Sequence, residues 1–459
     1  MTSQSSPLVP DRRPIGRIVT LLCGAITAAG LGFAVQLVLS RTLDVPSYGR
    51  FVAMLAVANV LSPLASWGLG WMWLQVYGSE GWNAYRWISV SLRALGLSSS
   101  AAIVLMVSYL LVSEPTSSNN VIIVVMAMIV IMLSQSQVEI VSARLQLEER
   151  YGLLTVWQLF APVGRALIIL VLLEAGYRDR LSLLVGFALV ATAASVFAIV
   201  SFENVRRGGL KLAGHGQAPP TPPRQPPPEL RHVFTEALPY VMQTMFFLVG
   251  SQGIVAIIER LLGPRDAAIY NVAFLILSAV YLIPTVIYTK YLVGKIFRWW
   301  AQDRQMFNAA FHVGVAVLLG LGLLCMAIVM VAAPLLVSIL FGSQYGDAVP
   351  VLMILAIAIP LRFVLHTYAA AFYSRQNMLR KVCYLGIAVA AGVALNLILT
   401  PHFGLNGAAI SAVAADFLLL LLYFRGASGH IEGLDVWSTF KPSTLRRSLA
   451  YIGRTREVH

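Results

Sequence analysis

The chain alternates between long apolar stretches and short polar connections. Twelve stretches stand out, near residues 15–40, 51–74, 87–112, 121–141, 155–173, 181–202, 235–258, 267–289, 308–340, 349–373, 382–400 and 407–424. A helix needs roughly 20 apolar residues to cross a hydrocarbon layer about 30 Å thick, and these stretches match that length. They lack the period-2 alternation of membrane-barrel strands. The pattern predicts an all-α, polytopic membrane protein of about 12 transmembrane helices.

Lys and Arg switch sides along the chain. Counting helix-end residues such as Arg17 and Arg93 with the adjoining connection, the N-tail, the even connections and the C-tail hold 25 of them. The odd connections hold 6, and Arg165 and Arg362 fall inside stretches. Short loops rich in Lys/Arg stay cytoplasmic, so both termini are expected in the cytoplasm, with the protein multi-pass in the inner membrane. Composition agrees, with 58% apolar and 12% charged residues. The net charge of +13 is absorbed by the positive-inside loops, and no basic face carries interleaved aromatics, which argues against nucleic acid. Cys23, Cys325 and Cys383 sit in apolar stretches without metal-ligand spacing, so neither a disulfide framework nor a metal site is expected.

One break divides the chain. Residues 218–228 read Ala-Pro-Pro-Thr-Pro-Pro-Arg-Gln-Pro-Pro-Pro, an extended, semi-rigid linker. Six stretches precede it and six follow. A shift of 219 residues places Arg41 on Arg260, Leu43 on Leu262 and Phe51 on Tyr270. The halves therefore predict two six-helix lobes related by a pseudo-twofold along the membrane normal. The expected division is a cytoplasmic N-tail (1–14), an N-terminal lobe (15–205), a Pro-rich cytoplasmic linker (206–232), a C-terminal lobe (233–425) and a cytoplasmic C-tail (426–459). The outer connections are short and carry only isolated acids such as Asp44, Glu114, Asp179 and Asp347. No GxSxG, HExxH, P-loop or dinucleotide motif occurs. Enzyme chemistry and an ATP-driven pump are disfavoured, and no cofactor is expected.

The two halves also carry matching motifs. Residues 39–49 read Leu-Ser-Arg-Thr-Leu-Asp-Val-Pro-Ser-Tyr-Gly, and Trp67-Gly-Leu-Gly follows at 67–70. The second half has Leu-Leu-Gly-Pro at 261–264 and Tyr-Asn-Val-Ala at 270–273. It continues with Ile-Leu-Phe-Gly at 339–342, Tyr-Gly-Asp-Ala at 345–348, and Asn396 with Phe-Gly-Leu-Asn-Gly-Ala-Ala at 403–409. In this order the pieces resemble the polysaccharide transporter family of the multidrug/oligosaccharidyl-lipid/polysaccharide exporter superfamily, over residues 15–425. Asp44-Val45-Pro46 departs from that family's usual Gly-Pro. The resemblance implies a bacterial flippase that moves an undecaprenyl-pyrophosphate-linked oligosaccharide across the inner membrane, for O-antigen, capsule or exopolysaccharide synthesis. It implies membrane lipid, a polysaccharide polymerase and export machinery as further partners.

The candidate residues are charges placed where charge is costly. Arg165 lies in Ala-Pro-Val-Gly-Arg-Ala (161–166), and Arg362 in Ile-Pro-Leu-Arg-Phe (359–363), with His366 one turn on. An Arg at bilayer depth tends to face a partner or a wet cavity, and its fork suits pyrophosphate. Arg41 and Arg93, near helix ends, are weighed as cargo contacts and as interfacial anchors. Asp416, mid-span, is either partner to an Arg or a coupling carboxylate. Glu139, beside Gln135 and Gln137, is a second such carboxylate near a cytoplasmic helix end. Two other readings stay open: an organic-cation antiporter of the same superfamily, which wants buried carboxylates, and a membrane oligosaccharide polymerase or ligase, which wants a larger outer surface.

Overall fold

A computed structural model describes residues 13–113, 120–212, 226–285, 304–372 and 375–430, with short pieces at 443–444, 446–448 and 451. The N-tail, much of the Pro-rich linker, Glu114, the far end of the eighth stretch and most of the C-tail lie outside the described residues. Every regular element described is helical.

In chain order these are α1 (Arg13–Thr42), α2 (Val45–Ser66), α3 (Leu69–Glu80), a 3-10 turn (Gly81–Trp87), α4 (Ile88–Ser113), α5 (Val121–Leu147), α6 (Tyr151–Glu174) and α7 (Arg180–Arg206). Beyond the linker come α8 (Leu230–Leu248), a π turn (Val249–Gly253), α9 (Ile254–Leu261), α10 (Pro264–Thr285), α11 (Arg304–Leu340), α12 (Ala348–Ala356), α13 (Ala358–Ala371) and α14 (Arg375–His430).

Among the described residues ten helical runs are long and apolar enough to span a membrane, against twelve expected. Two of the ten are folded back on themselves. The run Met378–Ser428 has 51 residues, which would stretch about 75 Å if straight, over twice the hydrocarbon thickness. Gly404 interrupts it with φ 58° and ψ −142°, a conformation open to a residue without Cβ. Pairs equidistant from that point touch. The Tyr384 and Tyr423 rings lie 6.3 Å apart, a Cβ on Gly392 would meet Ala415, and Asn396 donates to Ser411 Oγ at 3.0 Å. The run is an antiparallel hairpin, two crossings in one. The 69-residue run Val45–Ser113 likewise turns at Trp67–Gly68 and again through the 3-10 segment, so that Ser98 Oγ donates to the Ala65 carbonyl at 2.8 Å. Counted this way, the described residues carry the twelve crossings of the hydropathy pattern.

Helix starts follow local chemistry. Asp44 is the N-cap of α2 and accepts from the Ser47 amide at 3.1 Å, with Pro46 in the first turn. Asp179 caps α7 by accepting from the Ser182 amide at 2.9 Å. Ser47 and Ser182 thereby hold these carboxyls below the ordinary carboxylate value. Inside α2, Pro63 cannot donate to the Asn59 carbonyl, and the Ser62 hydroxyl donates to it instead at 3.0 Å.

The two halves pair their helices in the same order. In the first, α1 packs on α6, α5 on α7, and α2 on α5. In the second, α8 packs on the first arm of α14, α13 on α14, and α10 on α12. These are two six-helix lobes related by a pseudo-twofold along the bundle axis. They meet where α2 lies along α10, with α8 and α9 beside it. Gly49 permits the closest approach, because a Cβ there would fall 1.7 Å from the Pro264 carbonyl oxygen. Away from the seam the helices present apolar side chains outward. Leu324, Ile328, Val331, Leu335 and Ile339 form such a stripe on α11, with Val331 85% exposed. Exposed stripes of this kind, on helices of this length, belong to a multi-pass membrane protein.

Candidate functional site

Charged side chains inside a bundle of this kind must be paired, hydrogen-bonded or wet, and the sequence candidates divide on that basis. In the second lobe, Arg362 on α13 donates through Nε to Asp416 Oδ2 on α14 at 2.7 Å. The guanidinium lies 4.7 Å from the ring centre of Tyr281 on α10. Three helices thus converge on one cation. Gly322 of α11 backs this region, since a Cβ there would lie 2.7 Å from Pro360 Cα. Both partners are largely enclosed, their side chains 22% and 13% exposed. The Tyr281 hydroxyl is buried without a hydrogen-bond partner among the described residues. His366, one turn along α13, is half-buried, and Lys381 at the start of α14 is within its electrostatic reach.

Arg165 in the first lobe has a different setting. Its guanidinium stands 5.2 Å from the ring centre of Phe187 on α7, and Phe187 meets Phe51 of α2 edge to face at 5.4 Å. Gly164 beside it allows α6 against Val190 of α7. Among the described residues no carboxylate is bonded to Arg165. Among the described residues, one intramembrane arginine therefore has its counter-ion and the other rests on a phenyl ring.

The remaining candidates lie elsewhere. Arg41, at the end of α1, reaches across the seam. Its Nε donates to the Leu340 carbonyl at 2.9 Å and its Nη2 to the Ile339 carbonyl, so it caps the C-terminal end of α11. Beside it, Tyr345 donates to the Ser40 carbonyl at 3.0 Å. Arg93 is exposed on α4. Glu139, on α5, accepts from Ser66 Oγ at 2.8 Å through Oε2, while its Oε1 is buried without a partner among the described residues. Arg362, Asp416 and His366 form one group; Arg165, Arg41, Arg93 and Glu139 are each separate from it.

Polar seam residues escaped the sequence reading. Asn271 of α10 donates to the Tyr48 hydroxyl at 2.9 Å, and Tyr48 donates to Gln36 Oε1 at 3.1 Å. Asn59 of α2 donates to Gln252 in the π turn; π turns inside helices recur at functional positions. Toward the linker end, Trp67 Nε1 donates to the Phe234 carbonyl at 3.1 Å, and Tyr240 donates to Gln75. The lobes are in contact at both ends of the seam. Polar residues inside apolar stretches were the available signal; their pairing across halves was not.

No family model and no curated protein matches the chain by sequence. Solved structures do match by shape. The lipid II flippase MurJ in an inward closed conformation superposes with TM-score 0.67 at 12% identity, covering 94% of this chain and 91% of that one. An inward-facing MATE-family multidrug transporter of the MOP superfamily gives 0.65 at 13% identity over 89% and 95%. A MOP superfamily transporter from Pyrococcus furiosus, whose binding pocket has reversed polarity, gives 0.61 at 13% over 91% and 96%. At such identities the likeness is one of fold: this is the two-lobed fold of MOP-superfamily transporters.

Proposed function

We propose that the protein is a flippase that carries an undecaprenyl-pyrophosphate-linked oligosaccharide from the cytoplasmic to the outer leaflet, by alternating access of its two lobes (15–205 and 233–425). The linker end of the bundle is then cytoplasmic and the α1–α2 end faces out. The observation that carries this reading is Arg165, a guanidinium in the membrane-spanning bundle that lies against the Phe187 ring with no carboxylate bonded to it among the described residues. A desolvated cation without a counter-ion is expensive, and a pyrophosphate would supply the missing charge in the bidentate geometry guanidinium favours. A polar sugar head held between the lobes, with its polyprenyl tail left in lipid, suits a bundle that opens along one seam. An organic cation would meet like charge at Arg165, which counts against the antiporter reading. A polymerase or ligase would need acidic or metal-binding groups on the outer connections, and the described ones are short turns.

The test is a flipping assay in proteoliposomes loaded with polyprenyl-pyrophosphate-linked oligosaccharide. Arg165→Ala should abolish translocation at normal abundance and melting temperature, and Arg165→Lys should restore part of it. Wild-type translocation by Arg165→Ala would overturn the proposal.

A further inference from the structure

We infer that Glu139 is a proton-binding site whose occupancy is transmitted to the contact between the lobes at the linker end. The inference does not rest on the identity of the cargo.

The argument starts from what Glu139 lacks. Its Oε2 accepts from the Ser66 hydroxyl at 2.8 Å, while Oε1 is buried with no donor among the described residues. Among the described residues no Lys, Arg or His is bonded to it. The charged groups on the helices packed around α5 are engaged elsewhere or turned away. Arg144, on the same helix, is bonded to Glu148 and to Ser201 of α7. Glu203 of α7 is taken by Arg206 and Arg207. Arg93 of α4 is exposed, and Arg165 of α6 lies against Phe187. On α3 the titratable groups are Tyr77, seven residues past Gly70, its hydroxyl buried without a partner among the described residues, and Glu80, which accepts from Arg86 and Trp87. Asp416, the other candidate, is taken by Arg362 at 2.7 Å.

The ligand is small. A Cβ on Gly70 would come within 3.0 Å of the Glu139 carbonyl oxygen and 3.2 Å of its Cγ, so α3 lies directly on the side chain and leaves no room for an organic cation. A proton fits. It binds Oε1 from the water phase and returns there, and no bond other than O–H forms or breaks.

The route outward runs through Ser66. This hydroxyl has one hydrogen and two acceptors in range, Glu139 Oε2 and the Pro63 carbonyl at 3.2 Å. An ionised Glu139 claims the hydrogen; a proton on Oε1 turns Oε2 into a weaker, uncharged acceptor and shifts the hydrogen toward Pro63. Ser66 is the last residue of α2, and the next two residues, Trp67 (φ 48°) and Gly68 (φ 63°), are both left-handed. Left-handed backbone is strained for a bulky residue and persists only where its surroundings hold it. Here the hold is the other lobe, through Trp67 Nε1 on the Phe234 carbonyl at 3.1 Å. Gly68 itself sits so close to α8 that a Cβ would lie 2.9 Å from the Val241 amide. The proton site is therefore one hydrogen bond from Ser66, the residue that precedes a strained turn clamped between lobes.

The experiment uses the full chain in lipid nanodiscs without cargo. Infrared spectroscopy follows the carbonyl band of protonated carboxylic acid across pH. Spin labels at Gly78→Cys and Leu238→Cys, on a background of Cys23→Ser, Cys325→Ser and Cys383→Ser, report the α3–α8 distance. The expected result is one carboxylic-acid band lost in Glu139→Gln, and a label distance that titrates together with that band. Glu139→Gln should hold the low-pH distance at every pH, while Glu139→Asp should still titrate. A band that survives in Glu139→Gln overturns the site. A distance that titrates in Glu139→Gln as in wild type, or is pH-independent in wild type, overturns the coupling. If Glu139→Gln fails to assemble, Glu139→Asp decides: an unmoved midpoint for band and distance overturns the inference.

Discussion

The Arg362–Asp416 pair can be tested by a double-mutant cycle. The perturbation is Arg362→Met, Asp416→Leu, and the two together. With Nε and Oδ2 at 2.7 Å, the charge centres lie about 4 Å apart, an attraction of about 4 kcal/mol at an effective dielectric constant near 20. The Tyr281 face at 4.7 Å adds about 1–2 kcal/mol for a desolvated cation. Removing either partner leaves the other charge enclosed, at a cost of about 3–5 kcal/mol. Removing both replaces a buried pair by apolar groups, often close to neutral. Each single variant should therefore lose about 3–5 kcal/mol, and the double variant should lose less than the two losses combined by about 2 kcal/mol or more. Denaturant unfolding in detergent, with melting temperature as a second readout, measures the cycle. Additivity within about 0.5 kcal/mol would refute the reasoning. The pair also bears on function, because export lost in Arg362→Ala would follow from a bare Asp416 as readily as from a lost cargo contact. Arg362→Lys, which keeps the charge, is the informative variant.

Gly49→Val should prop the seam open, since even a Cβ would overlap the Pro264 carbonyl; spin labels at Asp44→Cys and Ser343→Cys should move apart and translocation should fall with the fold intact. Arg41→Ala removes both donors to the end of α11 and should cost the α1–α2 end about 1–3 kcal/mol, read as a larger open fraction with the same labels. Asp44→Ala and Asp179→Ala should each cost about 1 kcal/mol of helix capping. Because both folded-state carboxyls lie below the reference value of 3.8, that stability should be complete above about pH 4 and vanish on acidification through the folded values, which melting at pH 7 and pH 3 can check. Reporter fusions at Gln344 should read external and at Gly208 cytoplasmic; the reverse at either would overturn the assigned orientation.

The helical class, the number of crossings and the repeat were written in the sequence, because the bilayer imposes one length and one periodicity on every crossing. Capping is just as local, for Asp44 and Asp179 act through bonds three residues long, but in the sequence they stood only as isolated acids of the outer connections. Intramembrane charge was equally visible, since Arg165, Arg362 and Asp416 interrupt apolar stretches. Which of them would touch was not. Arg362 and Asp416 are 54 residues apart and Tyr281 is further still, and nothing local distinguishes Arg362, with a carboxylate, from Arg165, with a phenyl ring. Arg41 shows the same limit: an arginine at a helix end became a clamp on carbonyls some 300 positions away. Local hydrogen bonding and hydropathy act within a few residues and are readable along the chain. Pairing across lobes depends on how twelve helices close on one another, and only the tertiary structure decides it.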